Sequence, residues 1–415
     1  MGKDISVSEL RKMYSAVILA YGAEGHRTLG IPGEDLKGIV QARSFVNWYN
    51  GHPDFAHLGS TFHLDKVKDV VIIGQGNVAL DCARILAKPW QALASTDITS
   101  EAMRHLQCSA VENIYIVGRR GYVQAACTIK ELRELTQIPG VDVIISPDDI
   151  RRGSNASSLQ EVEERRPLRR FTQLMRDIAD GKVVNKSESH CLDGTDTCVG
   201  EGSEKRKKIY FKFLLSPEKF HSTLENSESS NDGDSNSSDK SVRRVEFVGG
   251  SLVGAPHYQS VVRDGPPEVL NCDLVLTSVG YKSHPLEDDC NGLSAVPFDY
   301  KRHTIPHLNG RVVQSSPIGT DKDSTGSIES GVDHDPYVQT GLYVAGWLKR
   351  GPTGIIGTNI PDAKETVQSL CDDAANDKLS CSWPSDPAER LMECKAEGRE
   401  VTGHKTTPGR IIGRC

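Results

Sequence analysis

VVIIGQGNVALDCAR at residues 70–84 and IYIVGRRG at residues 114–121 decide the fold. The first starts as a β-branched apolar run, breaks at Gly74-Gln75-Gly76-Asn77-Val78-Ala79 and continues in a helical pattern. The glycine spacing is G-x-G-x-x-A, that of a dinucleotide turn. Gly74 permits the tight strand-to-helix turn, Gly76 lets the backbone approach a pyrophosphate, and small Ala79 lets the helix pack close on the strand, with the helix N-terminus facing the phosphates. The second run ends in Gly118-Arg119-Arg120-Gly121, where the second strand of such a unit ends. An NAD-binding unit usually carries an acid there for the ribose 2′-OH. Two guanidiniums instead suit a 2′-phosphate, through forked, charge-assisted hydrogen bonds. The pattern predicts NADP(H) rather than NAD(H). Arg119 lies well beyond the usual spacing of about 20 residues. Residues 88–111 therefore read as an insertion, with Pro89 and a capping-like Ser95-Thr96-Asp97 marking an extra helix.

The chain has 415 residues, enough for two or more cores at roughly 100–200 residues per domain. Hydrophobic content is 37%, low for a compact chain, and the shortfall is local. Residues 222–241, almost all Ser, Asn, Asp and Glu, cannot bury enough apolar surface to offset their ordering entropy and read as disordered. Residues 315–335 are a similar polar insertion. Residues 184–208 are weakly patterned and end in Lys205-Arg206-Lys207-Lys208, a basic edge more in keeping with a solvated loop than with targeting or nucleic acid. The net charge of −7 argues against bulk nucleic-acid binding. No apolar run reaches membrane-spanning length. Eleven scattered cysteines without a C-x-x-C pair suggest neither a metal or iron–sulfur site nor a disulfide framework, so a reducing compartment is the default. The N-terminus reads as free of a signal or transit peptide. Its M-G-x-x-x-S start, formally a myristoylation pattern, has little weight because the following residues already read as folded protein.

Two further apolar runs stop at glycine: YSAVILAYG at 14–22 and CDLVLTSVGY at 272–281, broken at Gly280. A third, from Thr340 to Trp347, leads through Gly351-Pro352-Thr353-Gly354 to a helical stretch from Asn359 to Leu370. Any one of these suits an ordinary buried parallel strand. Their order around the glycine turn favours a flavoprotein with two dinucleotide-binding domains. The runs YGAEGHRTLGIPGEDL, ARSFVNWYNG, IIGQGNVALDCARIL, VGRRGYVQAACTIKELRELTQIPG, TSVGYKSHP and AGWLKRGPTGIIGT closely resemble the mitochondrial adrenodoxin reductases, NADPH–ferredoxin reductases, over most of residues 4–370.

The resemblance implies an α/β, glutathione-reductase-like fold of three β/β/α layers. It also implies FAD and NADP as cofactors, and an adrenodoxin-type [2Fe-2S] ferredoxin as partner. Gln75, Gly76, Asn77 and Val78 would hold the NADP pyrophosphate region, Arg119 and Arg120 the 2′-phosphate, and Glu131 would also contact NADP. Trp347, Gly354, Ile355 and Ile356 would contact FAD, with Gly354 near the nicotinamide as well. Arg166 and Arg170, in RRPLRRFTQLMR, match the family's ferredoxin-docking patch. The plainer reading of that run is a solvated helix face. Hydride transfer needs no side-chain nucleophile. Asp81 is a candidate orienting or proton-relay residue, though the plainer reading of an ordinary helix carboxylate weighs slightly heavier. Family resemblance places the chain on the matrix side of the inner mitochondrial membrane, with at most peripheral membrane association.

Against the family pattern, the G-x-G-x-x-G turn for the ADP half of FAD is not found before Tyr14, so roughly a hundred residues of FAD domain are expected to be absent. The sequence also drifts from the family after about Leu379. The domain reading is a remnant of the FAD domain at 1–30, an NADP domain at 31–284, and the C-terminal part of the FAD domain at 285–415, so the first domain is incomplete. Two functions follow. One is a flavoenzyme passing electrons from NADPH through FAD to a ferredoxin. The other is a non-catalytic NADP-binding remnant that retains FAD poorly. A glutamate-synthase-like flavin subunit shares the architecture, but its N-terminal cysteine clusters have no counterpart here.

Overall fold

The computed structural model describes residues 5–183, 206–222, 240–286, 296–314, 338–354 and 356–379. The insertion at 315–335 lies outside the described residues, as do most of 184–208 and 222–241, Ile355, and the side chain of Ile356. Two compact units are present: Thr28–Val279, and a unit built from both ends of the chain, Met1–Arg27 with Gly280–Cys415.

In the Thr28–Val279 unit a six-stranded sheet, parallel throughout, runs in the order 39–41, 274–277, 69–73, 113–117, 207–212, 141–145. Its central strands Asp69–Ile73 and Leu274–Thr277 are apolar on both sides because both faces are covered there. In Asp69–Ile73, Val70 and Ile72 join the cluster that includes Leu80, Leu86, Leu132 and Phe171 of the helical layer. Val71 and Ile73 point the other way, to Leu215, Phe220, Val245 and Phe247 of an antiparallel layer. Alternation with period two thus builds three layers from one strand. Each of these four buried side chains contributes about 1.5–3 kcal/mol of burial free energy. The antiparallel layer runs in the order 267–271, 244–249, 215–221.

The insertion at 88–111 carries a turn of helix at Trp90–Leu93 and a helix at Ser100–Gln107. The cap of the latter is Thr99, which accepts the Ala102 N–H at 3.3 Å, and not Ser95-Thr96-Asp97 as the sequence suggested. Thr96 instead donates its hydroxyl to the Leu93 carbonyl at 2.7 Å, closing the preceding turn.

In the second unit Val17–Leu19 pairs in parallel with Val338–Val344, which pairs antiparallel with Arg311–Val313, and His307–Leu308 closes the order. The run 14–22 yields only this short strand. Tyr14 instead caps the helix Val7–Met13, donating its N–H to Leu10. Val7, Val17, Leu19, Ile305, Val312, Leu342, Val344 and Leu348 form the core beneath one face. The helix Asn359–Ala375 turns polar residues inward: Thr366, Ser369 and Asp373 are buried. Arg311 grips both oxygens of Asp373, at 2.7 and 3.1 Å, and Tyr343 donates its hydroxyl to the same carboxylate at 2.8 Å. Among the described residues no helix is long and apolar enough to cross a membrane, and no cluster could hold a metal ion.

Burial pushes the Asp373 carboxyl up, but the hydrogen bonds from Arg311 and Tyr343 outweigh it and hold the group below the usual carboxylate range. A depressed folded-state value gives stability that is present above the unfolded pKa, near 3.9, and is lost as pH falls through the folded value. Asp373→Ala removes the carboxylate partner of a mostly buried guanidinium, leaving it only the Ser369 hydroxyl and carbonyl, and should cost about 3 kcal/mol at pH 7. Urea unfolding followed from pH 7 to pH 2 should show the gap from the parent chain narrowing below about pH 4. Equal midpoints at pH 7 would mean the network stabilises nothing.

Candidate dinucleotide site

Gly74 ends the Asp69–Ile73 strand at φ +132°, and a Cβ there would overlap the Ser278 carbonyl oxygen. Conformation and space both demand glycine. Gly76 differs. Its backbone is extended, at φ −98° and ψ 175°, and a Cβ there would meet nothing within 4 Å. It is the N-cap of the helix Asn77–Ala87, and no side chain caps that helix. The first-turn N–H groups are thus left without a side-chain cap beside the open space at Gly76, which is what an approaching phosphate requires. Ala79 is fully buried, as close packing of helix on strand demands.

The side chains around the turn fix its shape. Gln75 Nε2 donates to the Lys212 carbonyl at 3.2 Å, and the side chain lies over Gly118, where a Cβ would collide with it. The Gln75 carbonyl accepts the Ala126 N–H at 3.0 Å. Asn77 Oδ1 accepts the Thr128 N–H at 2.9 Å, which ties the turn to the start of the helix Ile129–Thr136. Val78 is half-buried at the helix start. Glu131 lies in the first turn of the 129–136 helix, and its Oε2 is buried with no hydrogen-bond partner among the described residues. An orphaned acceptor in this position has use for a donor from a ligand. Arg119 and Arg120 are exposed just past the Asn113–Val117 strand, and no hydrogen bond or ion pair engages their side chains among the described residues. Open space, free N–H groups, two uncommitted guanidiniums and one orphaned carboxylate oxygen together fit a phosphorylated dinucleotide.

Asp81 is engaged elsewhere. Arg84 holds its carboxylate at 3.0 Å, and Arg84 and Lys88 also meet Glu134 of the neighbouring helix at 3.5 and 3.0 Å. This arrangement favours the plainer reading of a helix carboxylate. The cysteines nearby are inert: burial pushes the Cys127 thiol up to about 12, and burial raises Cys82 further.

Arg166 and Arg170 lie on the exposed face of the amphipathic helix Arg166–Ala179, whose other face buries Phe171, Met175 and Ile178. With Arg169 and Arg133 they line an open groove. The i, i+3, i+4 spacing makes Arg169 legible beside the two residues singled out. Arg133 comes from a neighbouring helix, and no local pattern announces it.

Trp347 and Gly354 belong to the unit formed by the chain ends. Trp347 starts the short helix Trp347–Arg350 and stacks on Tyr281, with ring centroids 5.6 Å apart and planes 21° apart. Gly346 before it has φ +73°, and a Cβ there would meet nothing within 4 Å. Gly354 is exposed at φ +82°. Ile356 opens the 3-10 turn Ile356–Thr358. The sequence reading missed the support of this turn. Lys349, 5% exposed, sends its ammonium to Glu365 at 2.6 Å, to Asp362 at 3.3 Å and to Thr366 at 3.1 Å, while Asp362 also accepts the Gly346 N–H. An aromatic face beside an open glycine turn fits one face of a planar ring system such as a flavin.

No family model matches the chain. Comparison with individual proteins is informative. The chain is 39% identical over 373 residues to the mitochondrial NADPH:adrenodoxin oxidoreductase of Arabidopsis thaliana, a match covering 90% of this chain and 66% of that protein. It is 34% identical over 398 residues to the NADPH-ferredoxin reductase FprA of Mycobacterium leprae, covering 96% of this chain and 72% of that one. Among solved structures, Mycobacterium tuberculosis FprA in complex with NADPH superposes with a TM-score of 0.71 at 32% identity, covering 96% and 72% of the two chains. The chain thus spans just under two thirds of the length of the plant protein. Its α/β fold of mixed parallel and antiparallel sheets resembles the glutathione-reductase-like fold of pyridine-nucleotide oxidoreductases.

The two glycines of the turn should respond differently to an added methyl group. Gly74→Ala forces a left-handed residue against a backbone carbonyl and should destabilise the Thr28–Val279 unit by about 3 kcal/mol or more. Gly76→Ala, with space for its Cβ, should change stability by less than about 1 kcal/mol. Denaturant melts of both variants read this directly, and equal losses would contradict the geometry of the turn.

Proposed function

The chain belongs to the adrenodoxin reductase/FprA family of FAD- and NAD(P)H-linked, ferredoxin-reductase-like oxidoreductases, and on that premise we propose that it carries electrons from NADPH through FAD to an adrenodoxin-type [2Fe-2S] ferredoxin. The observation that carries the reading is the exposed, uncommitted pair Arg119 and Arg120 in the same unit as the uncapped helix start at Gly76. The guanidiniums hold the 2′-phosphate, and the N–H groups from Gly76 to Val78 hold the pyrophosphate. Gln75 and Asn77 keep the turn in shape through Lys212 and Thr128. Glu131 accepts a hydrogen bond from the nucleotide through its orphaned oxygen.

On the flavin side, Trp347 offers its indole face, braced by Tyr281, and Gly354 with its left-handed backbone leaves room for the ring beside it. When bound, a flavin takes two electrons as hydride and releases them singly, which a one-electron iron–sulfur acceptor requires. The residues of the chain would contribute binding and orientation, and hydride transfer needs no side-chain nucleophile. Arg133, Arg166, Arg169 and Arg170, against a single carboxylate at Asp177, give the groove a positive excess on a chain of net charge −7, suited to steering an acidic ferredoxin into a transient complex. The mitochondrial names of plant and animal relatives support a place in the mitochondrion.

A second reading, an NADP-binding protein without stable FAD, is favoured by one observation: every NADP-directed residue except Gly354 lies within Thr28–Val279. The visible absorption of the purified chain separates the two. Flavin bands at one per chain support electron transfer, and a colourless chain that still binds NADPH supports the second.

The chain should bind NADPH in preference to NADH. Losing one charge-assisted contact in Arg119→Ala should cost about 1.5–3 kcal/mol, or roughly ten- to a hundred-fold in affinity for NADPH alone. Equal affinity of the parent chain for both nucleotides would refute the assignment. The double charge reversal Arg166→Glu with Arg170→Glu should weaken ferredoxin binding and leave NADPH titrations unchanged, and added salt should mimic it in the parent chain by screening. Undiminished ferredoxin affinity at low ionic strength would remove these arginines from the docking surface.

A further inference from the structure

Arg119 and Arg120 are exposed and nothing engages their side chains among the described residues, so the backbone that carries them must aim them. On one side that backbone is tied to neighbouring strands. Gly118 donates its N–H to the Lys212 carbonyl at 3.0 Å, Leu215 donates to the Gly118 carbonyl at 3.1 Å, and Leu214 donates to the Arg120 carbonyl at 3.2 Å. On the other side the anchor is a side chain. Gly121 is the N-cap of the 3-10 turn Tyr122–Gln124, and Tyr122, two residues past Arg120, is fully buried.

A buried tyrosine needs a partner for its hydroxyl, and Tyr122 has two. Arg176, half-buried on the helix Arg166–Ala179, donates Nη2 to Tyr122 Oη at 2.9 Å. Tyr122 Oη also lies 2.9 Å from Ser154 Oγ. Counting hydrogens gives the direction of that second bond. A hydroxyl has one to give, and Ser154 gives its own to the Ile150 carbonyl at 2.7 Å. Tyr122 therefore accepts from Arg176 and donates to Ser154. One directed chain of hydrogen bonds runs from Arg176 through Tyr122 and Ser154 to the helix Pro147–Arg152, and it begins on a charged donor, which strengthens its first bond.

The ring is held along with the hydroxyl. The Arg176 guanidinium carbon lies 5.8 Å from the Tyr122 ring centroid, and Phe213 meets the ring edge-on with centroids 6.3 Å apart. A Cβ on Gly153 would come within 2.9 Å of Tyr122 Cδ1. Among the described residues no carboxylate pairs with Arg176, so the tyrosine is the polar group that fixes its guanidinium.

We propose that Tyr122 is a positioning residue for nucleotide choice: through Arg176 and Ser154 it fixes the far end of the Gly118–Gly121 loop and so sets the aim of Arg119 and Arg120 at a 2′-phosphate. This role rests on the reading of those two arginines as the 2′-phosphate grip and adds to it a buried group behind them. A loop that loses the hydroxyl keeps both charges but samples more than one direction, and forked contacts need a supporting group that holds them in line.

The test titrates NADPH and NADH, followed by nicotinamide fluorescence, against the full chain and its variants Tyr122→Phe, Arg176→Met and the two combined. Tyr122→Phe keeps the ring and changes no charge. It should weaken NADPH binding about ten-fold, the scale seen when an outer hydrogen bond that orients a binding group is removed, and leave NADH affinity unchanged. Arg176→Met cuts the same chain from a half-buried position on a helix and should lower the same preference. The double variant should lose no more than Arg176→Met alone, because both changes remove one interaction. Equal weakening of both nucleotides would mark a general loss of structure and overturn the role. Additive losses in the double variant would overturn it as well. A parent chain with no preference for NADPH would sink the reading of Arg119 and Arg120, whereas a preference that both single variants retain would sink the role of Tyr122 alone.

Discussion

The Ser278 carbonyl lies so close to the α-carbon of Gly74 that no side chain can stand there, and the organisation of the Thr28–Val279 unit follows from this approach. Ser278 donates its N–H to the Ile73 carbonyl at 2.7 Å, and Gly74 donates its own to the Val117 carbonyl at 2.8 Å. Three parallel strands are therefore tied together at the ends where the chain turns. The Asn77–Ala87 helix must start at that point, and the strand that ends at Val117 must release its two arginines on the same side of the sheet. Ligands of open α/β sheets bind at the carboxyl ends of the strands. Here the backbone hydrogen bonds that hold the strand ends together also hold the residues proposed to bind the dinucleotide in register.

Much of this was legible because it is local. The β-branched run at 70–73, the glycines at 74 and 76 and the small residue at 79 each report a backbone requirement within a few residues. The arginine pair reports a charge requirement. The residues that shape the turn from a distance were not legible. Gln75 finds Lys212, and Asn77 finds Thr128, only after strands and helices from other stretches have assembled. Glu131 stands out only through its lack of a partner, which no sequence pattern expresses. Ser95-Thr96-Asp97 misled because a hydroxyl near a helix start can equally close the turn before it, as Thr96 does.

The unit made from the chain ends follows a different logic. The Asn359–Ala375 helix is held to its sheet by charge: Arg311 on Asp373, and the Lys349 ammonium between Asp362 and Glu365. Buried ion pairs of this kind contribute little net stability over an apolar packing, but they demand one geometry. The helix that Lys349 and Asp362 fix is the one whose start lies against the Gly346–Arg350 turn, so the pair sets the orientation of Trp347. The sequence reading took this stretch as a plain helix, because the polarity of its inner face becomes visible only when Tyr343 and Arg311 are known to lie beneath it.

The discontinuity of that second unit has a consequence for synthesis on the ribosome. Strand Val17–Leu19 is made more than three hundred residues before its parallel partner Val338–Val344. The intervening Thr28–Val279 unit is continuous and can condense as soon as it clears the exit tunnel. At about 5–20 residues per second, the early strand waits on the order of 15 to 70 seconds for its partner. During that interval its apolar residues lack the strand that covers them, so this stretch has most use for a holdase chaperone.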